Sequence, residues 1–94
     1  MKKNICIVGM LVNEKSVQAP EVQKVLSKYG NLILHRSGIP YSECDRGIIN
    51  LTVKATQAEL EELKGELGKI PGLVFNAMCL AEDAESLLVC ENLD

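Results

Sequence analysis

Between Gly47 and Glu59 the hydrophobic period of the chain changes from two to 3.6 with no linker in between. Ile49, Leu51 and Val53 alternate with Asn50, Thr52 and Lys54, the pattern of a strand with one dry face and one wet face. Thr56-Gln57-Ala58-Glu59 follows at once. A threonine and a glutamate at this spacing satisfy each other's free backbone donors and so start a helix. Leu60, Leu63, Leu67 and Ile70 then supply a buried helical stripe, which Pro71-Gly72 ends. A chain with this junction is neither all-α nor all-β.

The remaining segments fit around it. Ile5–Val12 is an unbroken apolar run containing Gly9, of strand length. Pro20 marks the first turn of a helix, where its missing N–H costs little. Val22, Val25, Leu26 and Tyr29 recur at helical spacing, and Gly30 closes that helix. Leu32–Ile39 reads as a second strand stopped by Pro40, and Leu73–Leu80 as a fourth. The order is βαββαβ, an α+β ferredoxin-like sandwich. Right-handed crossovers place both helices on one face of a four-stranded antiparallel sheet, with the first and third strands central. Residues 1–81 form this one domain. Residues 82–94 are an acidic C-terminal extension in which Ser86–Cys90 forms a short strand or part of a short helix.

The face of the sheet away from the helices carries a further expectation. With Ile5, Ile7, Gly9 and Leu11 turned to the helices, Cys6, Val8, Met10 and Val12 face away. Val74 and Met78 join them, with Leu73, Phe75 and Ala77 turned inward. An open sheet face of a monomer is normally polar, so an apolar one calls for cover. The expectation is a homo-oligomer, through this outer face or an adjoining edge strand; the alternative is a C-terminal segment folded back over the sheet. With no Trp and only three aromatics, the core must be aliphatic. A chain of 94 residues buries roughly 60–65% of its unfolded surface, and oligomerisation commonly supplements so thin a core.

Charge and cysteine usage exclude several classes. Net charge is −3, yet the acidic excess lies in residues 82–94; the first 81 hold ten basic and eight acidic residues with no basic stripe. Direct nucleic-acid binding is therefore not expected. Cys6, Cys44, Cys79 and Cys90 form no CxxC and no Cys/His pair at zinc-finger spacing. Three lie in apolar runs, where a reduced cysteine acts as a small hydrophobe. The opening MKKNICIVGMLVN resembles an export signal, but Asn13-Glu14-Lys15 follows with no small-residue cleavage pattern. No run approaches the roughly 20 residues of a membrane span. A cytoplasmic location is expected.

The chemistry-bearing residues gather in His35-Arg36-Ser37-Gly38-Ile39-Pro40-Tyr41-Ser42-Glu43-Cys44-Asp45-Arg46-Gly47, which holds the only histidine and both arginines. Cys44 lies in a polar turn beside Arg46, a setting that favours the thiolate. Arg36 and Arg46 stand on the two arms of one hairpin, either as a small anion-binding spot or as partners for Glu43 and Asp45. Arg36, Tyr41, Cys44 and Arg46 are the candidate ligand-binding residues. His35 and Cys44 are the candidate metal ligands, although a transition-metal site usually needs three or four donors. Symmetry would double two ligands to four across a dimer.

No catalytic acid–base or nucleophile pair can be assembled, so the reading is of a non-enzyme without cofactor. The loop after the first strand, Asn13-Glu14-Lys15-Ser16, lacks the CxxC of a soft-metal carrier and the glycine-rich phosphate cradle of an acylphosphatase-like enzyme. The central strands lack the stacking aromatics of an RNA-binding sheet.

Leu26-Ser27-Lys28-Tyr29-Gly30, Arg36-Ser37-Gly38-Ile39-Pro40-Tyr41, Arg46-Gly47-Ile48 and the stretch Leu63–Gly72 together resemble the small regulators of the iron-only hydrogenase system. The resemblance covers about residues 5–80, and Gly38-Ile39-Pro40-Tyr41 is its most specific part. It implies an ACT-like fold, similar also to the C-terminal effector domain of nickel-responsive repressors. It further implies self-association and a regulatory, non-catalytic role with a protein partner or a small ligand. The alternatives are a transition-metal-sensing oligomer using His35 and Cys44, or a small-ligand-binding ACT-like domain. The first loop lacks the Asp and Gly typical of ACT ligand sites. Two features depart from the family: an enlarged hairpin at 42–45, and the acidic extension.

Overall fold

The computed structural model describes residues 2–41 and 45–81. The strands are β1 (Asn4–Val12), β2 (Ile33–Tyr41), β3 (Arg46–Ala55) and β4 (Val74–Ala81). The helices are α1 (Lys15–Lys28) and α2 (Gln57–Gly68), and a 3₁₀ turn at Gly30–Leu32 precedes β2. All four strands form one antiparallel sheet in the order β2-β3-β1-β4, with both helices against one face. This is the ferredoxin-like arrangement expected from the sequence. The extension 82–94, including Ser86–Cys90, and residues 42–44 lie outside the described residues.

The core is aliphatic. Leu51, Val53 and Ala55 of β3 pack beneath Val22, Leu26, Leu60, Leu63 and Leu67 of the helices. In β1 the two faces are the reverse of the expectation: Cys6, Val8, Met10 and Val12 are buried under the helices, whereas Ile5, Ile7, Gly9 and Leu11 lie on the outer face. Every position of that run is apolar or glycine, so alternation alone leaves its phase undetermined, and a shift by one residue exchanges all its side chains between faces. The register decides. Cys6 and Val8 stand opposite Val53 and Leu51, and Ile7 and Gly9 opposite the polar Thr52 and Asn50.

Helix α1 begins at Lys15, earlier than Pro20 indicates, and Pro20 lies inside it. Its first turn is held by contacts distant in sequence. The Asp45 carboxylate accepts hydrogen bonds from the Ser16 N–H (3.1 Å) and hydroxyl (2.6 Å). Buried Gln18 accepts from the Asn13 N–H through Oε1 (2.8 Å) and donates through Nε2 to the Pro71 carbonyl (2.9 Å). Pro40 does not stop β2, which continues to Tyr41; an edge strand tolerates a residue without an N–H. The capping box at Thr56 and Glu59 forms as expected.

Cys6 and Cys79, directly opposite each other on β1 and β4, are joined as a disulfide. The expectation of unpaired apolar cysteines is corrected for these two. Their pairing depends on the β1–β4 register, which brings together residues separated by 73 positions.

The two edges of the sheet differ. The β2 edge carries a register irregularity between Ile33 and His35, the exposed His35 and Arg36, and Pro40, all devices that discourage further strand pairing. The β4 edge, VFNAMCLA, carries no charged residue and no proline.

Candidate functional site

Helix α1 runs along the helix-facing side of the β2–β3 hairpin and is tied to it at two places. Near one, Arg36 Nη2 donates to Gln23 Oε1 at 3.0 Å. Near the other, Asp45 accepts from Ser16. Between these links lies an open groove of about 290 Å³, lined by Val12 and Ala19 on one side and by Gly38, Pro40, Gly47 and Ile49 on the other. The volume exists because the hairpin offers two glycines and a proline where the sheet elsewhere offers Leu51 and Val53, and because α1 offers the small Ala19 beside Gln23. A Cβ at Gly38 would lie 3.6 Å from the Ile48 carbonyl oxygen, an ordinary contact, so backbone crowding does not demand glycine there. The glycine leaves space.

The sequence candidates are distributed around this groove. Arg36 stands opposite Leu51 on the helix side and does not line the groove itself; it reaches the groove wall through its hydrogen bond to Gln23. His35 stands opposite Thr52, exposed on the other side. Arg46 is exposed and pairs in register with Tyr41 at the end of the hairpin. Arg36 and Arg46 thus fall on opposite faces and do not share an anion spot. Cys44 lies outside the described residues. Among the described residues no group of three or more His, Cys, Asp or Glu side chains converges, and no helix is long and apolar enough to cross a membrane.

Sequence reasoning singled out Gly38-Ile39-Pro40-Tyr41 as a hairpin motif but not as the wall of a groove. Ala19 and Gln23, which face it, were not singled out at all. A signal was available for Ala19 alone: a small residue on a helix facing the small Gly38 and Gly47 of the hairpin beneath it.

The outer sheet face is the second surface. Ile7 and Leu11 of β1 lie beside Met78 and Val74 of β4, and Ile48 and Ile39 extend the apolar area toward β2. Val74 is 56% exposed and Met78 60%. Gly9 sits at the centre between Asn50 and Asn76. The expected apolar outer face is present and includes Val74 and Met78 as anticipated, but β1 contributes Ile5, Ile7 and Leu11 to it.

Comparison with known proteins agrees with this architecture. The model of the TM1266-like family, described as "Iron-only hydrogenase system regulator, putative", matches residues 4–76. The solved structure of the uncharacterized protein TM1266 from Thermotoga maritima is similar with a TM-score of 0.79 and 28% identity, over 84% of this chain and 99% of that one. Two further structures share the fold alone. One is a "putative PII-like signaling protein" from Thermus thermophilus, with a TM-score of 0.60 and 11% identity, over 95% of this chain and 100% of that one. The other is a formyltetrahydrofolate deformylase from Pseudomonas putida, with a TM-score of 0.57 and 10% identity, over 80% of this chain but only 28% of the enzyme. No curated protein matches the chain.

Proposed function

The chain belongs to the TM1266-like family, and from that membership we propose that it is a non-catalytic regulatory module of an iron-only hydrogenase system, working as a homo-oligomer. The observation that carries this reading is the outer sheet face with its uncharged β4 edge. Large aliphatic side chains lie open there, next to a strand whose free side, among the described residues, pairs with nothing. A second copy supplies both what the face lacks and what the edge lacks: apolar cover and a strand of identical length.

The native mass of the full chain, followed by light scattering over a concentration series, tests the proposal. Multiples of 10.3 kDa that Met78→Glu reduces to the monomer support it. Met78 is exposed in the single chain, so that substitution leaves the fold intact. A monomer at every concentration overturns the reading. So does a chain that associates only after residues 82–94 are removed, since the cover then comes from the extension.

The groove favours a second reading, in which the regulator also holds a small ligand. Apolar walls, with the Arg36 guanidinium held beside them by Gln23, fit a small carboxylate with a branched apolar body. Short branched carboxylates are the probes. A rise in melting temperature that Arg36→Gln removes supports this reading, and no rise with any of them overturns it.

A further inference from the structure

Cys79 of the Cys6–Cys79 disulfide lines a cleft of about 310 Å³ together with Lys2, Asn4 and Gln57. The two sulfurs differ in access. Cys6 is wholly buried beneath the helices, whereas Cys79 is an exposed residue and lines the cleft. Lys2 is the one charged residue among those lining it. Lys3, its neighbour in sequence, is engaged with Glu59 at 3.3 Å.

We propose that Cys6–Cys79 is a reversible redox-modification site, opened in the folded protein by small anionic thiols that enter the Lys2 cleft and attack Cys79. Access and charge both select this route. A disulfide exchanges by in-line attack of a thiolate on one sulfur, and only Cys79 is reachable. The Lys2 ammonium raises the local concentration of an anionic reagent and offsets the negative charge on the sulfur that is released last.

The chemistry balances. A thiolate attacks Cys79 Sγ, the Sγ–Sγ bond breaks, and its electron pair passes to Cys6 Sγ, which takes a proton from water. The product is a mixed disulfide on Cys79 and a free Cys6 thiol. A second thiolate attacks the outer sulfur of that mixed disulfide and releases Cys79 as thiolate together with the reagent's own disulfide. Two electrons have moved from two small thiols to the protein. A small disulfide runs the sequence backwards.

The consequence falls on β4. The disulfide is the one covalent link between β4 and the central strand β1, and it lies at the end of the ladder where the register is irregular between Ile5 and Cys6. Its opening leaves hydrogen bonds and packing to hold that end of the edge strand.

The test traps thiols with an alkylating agent at lysis and maps Cys6 and Cys79 by mass spectrometry. Purified oxidised protein is then reduced under native conditions with mercaptoethanesulfonate or with cysteamine, each rate being normalised to that thiol's rate with a small-molecule disulfide. The expected result is a linked Cys6–Cys79 pair that is reduced without unfolding, with about a threefold preference for the anionic thiol that Lys2→Gln or high salt removes. Cys6 and Cys79 found alkylated separately, with no linked peptide even after treatment with a small disulfide, overturns the proposal. So does a linked pair reduced only in denaturant, or one reduced with no charge preference.

Discussion

Asp45, in the turn before β3, accepts a 2.6 Å hydrogen bond from the Ser16 hydroxyl and a 3.1 Å bond from the Ser16 N–H. A carboxylate is thereby held at the first turn of α1, where free backbone donors and the positive end of the helix dipole meet. The residue at the helix boundary itself, Glu14, makes no side-chain cap. The hairpin does what the local sequence does not.

Asp45→Ala should therefore destabilise the fold by about 1 kcal/mol, the usual cost of losing an N-terminal cap. Chemical denaturation measures it. Because the link also anchors the hairpin to α1, amide exchange should rise at Ser16 and Val17 before it rises in α2.

Gly72 has a positive φ of 78°, and a Cβ there would lie 2.8 Å from Gln18 Nε2. Gly72→Ala combines a left-handed backbone with displacement of a buried side chain that bridges two loops. A loss of more than about 1 kcal/mol is expected, by denaturant titration. Gln18→Ala removes the obstacle; in that background the added cost of Gly72→Ala should shrink.

Glu59 accepts a 2.8 Å bond from the Thr56 N–H, which chiefly holds its carboxyl below the ordinary value, with Lys3 adding to the effect against partial burial. A depressed folded-state pKa favours the native state above the unfolded-state value. That contribution disappears as pH falls through the folded-state value. The contribution of Glu59 to stability should accordingly be constant above about pH 5 and decline as pH falls below the usual carboxylate range near 4.3. Glu59→Gln should flatten the part of the decline that Glu59 supplies, as melting temperature against pH would show.

Gly38→Val should fill the groove without unfolding the chain, because the added Cβ meets only an ordinary contact. The expected readout is an unchanged or slightly raised melting temperature together with loss of any stabilisation by short branched carboxylates. A thermal-shift series with and without those probes measures both.

How much of this was legible differs by element. β3 declared its faces because Asn50, Thr52 and Lys54 interrupt its apolar residues, and α2 declared its start through Thr56 and Glu59. β1 did not, since Ile5 to Val12 offers no polar residue to mark the wet side. Its phase follows only when its rungs are aligned with those of β3. The start of α1 depends on Asp45, 29 positions away, and the Cys6–Cys79 link on a register between the first and last strands of the sheet. Local pattern cannot carry such information. The groove was half visible: its hairpin wall is the most specific part of the family resemblance, while Ala19 opposite looks like any helix alanine.

The unequal edges of the sheet set a limit on growth. A sheet with two open sides can add copies without end and become a fibre. Here Pro40 and the irregular start of β2 close one side, leaving β4 as the side that can be extended. Two copies meeting there in antiparallel fashion would each use up the one side left open among the described residues. Pairing along that strand would then count to two and stop.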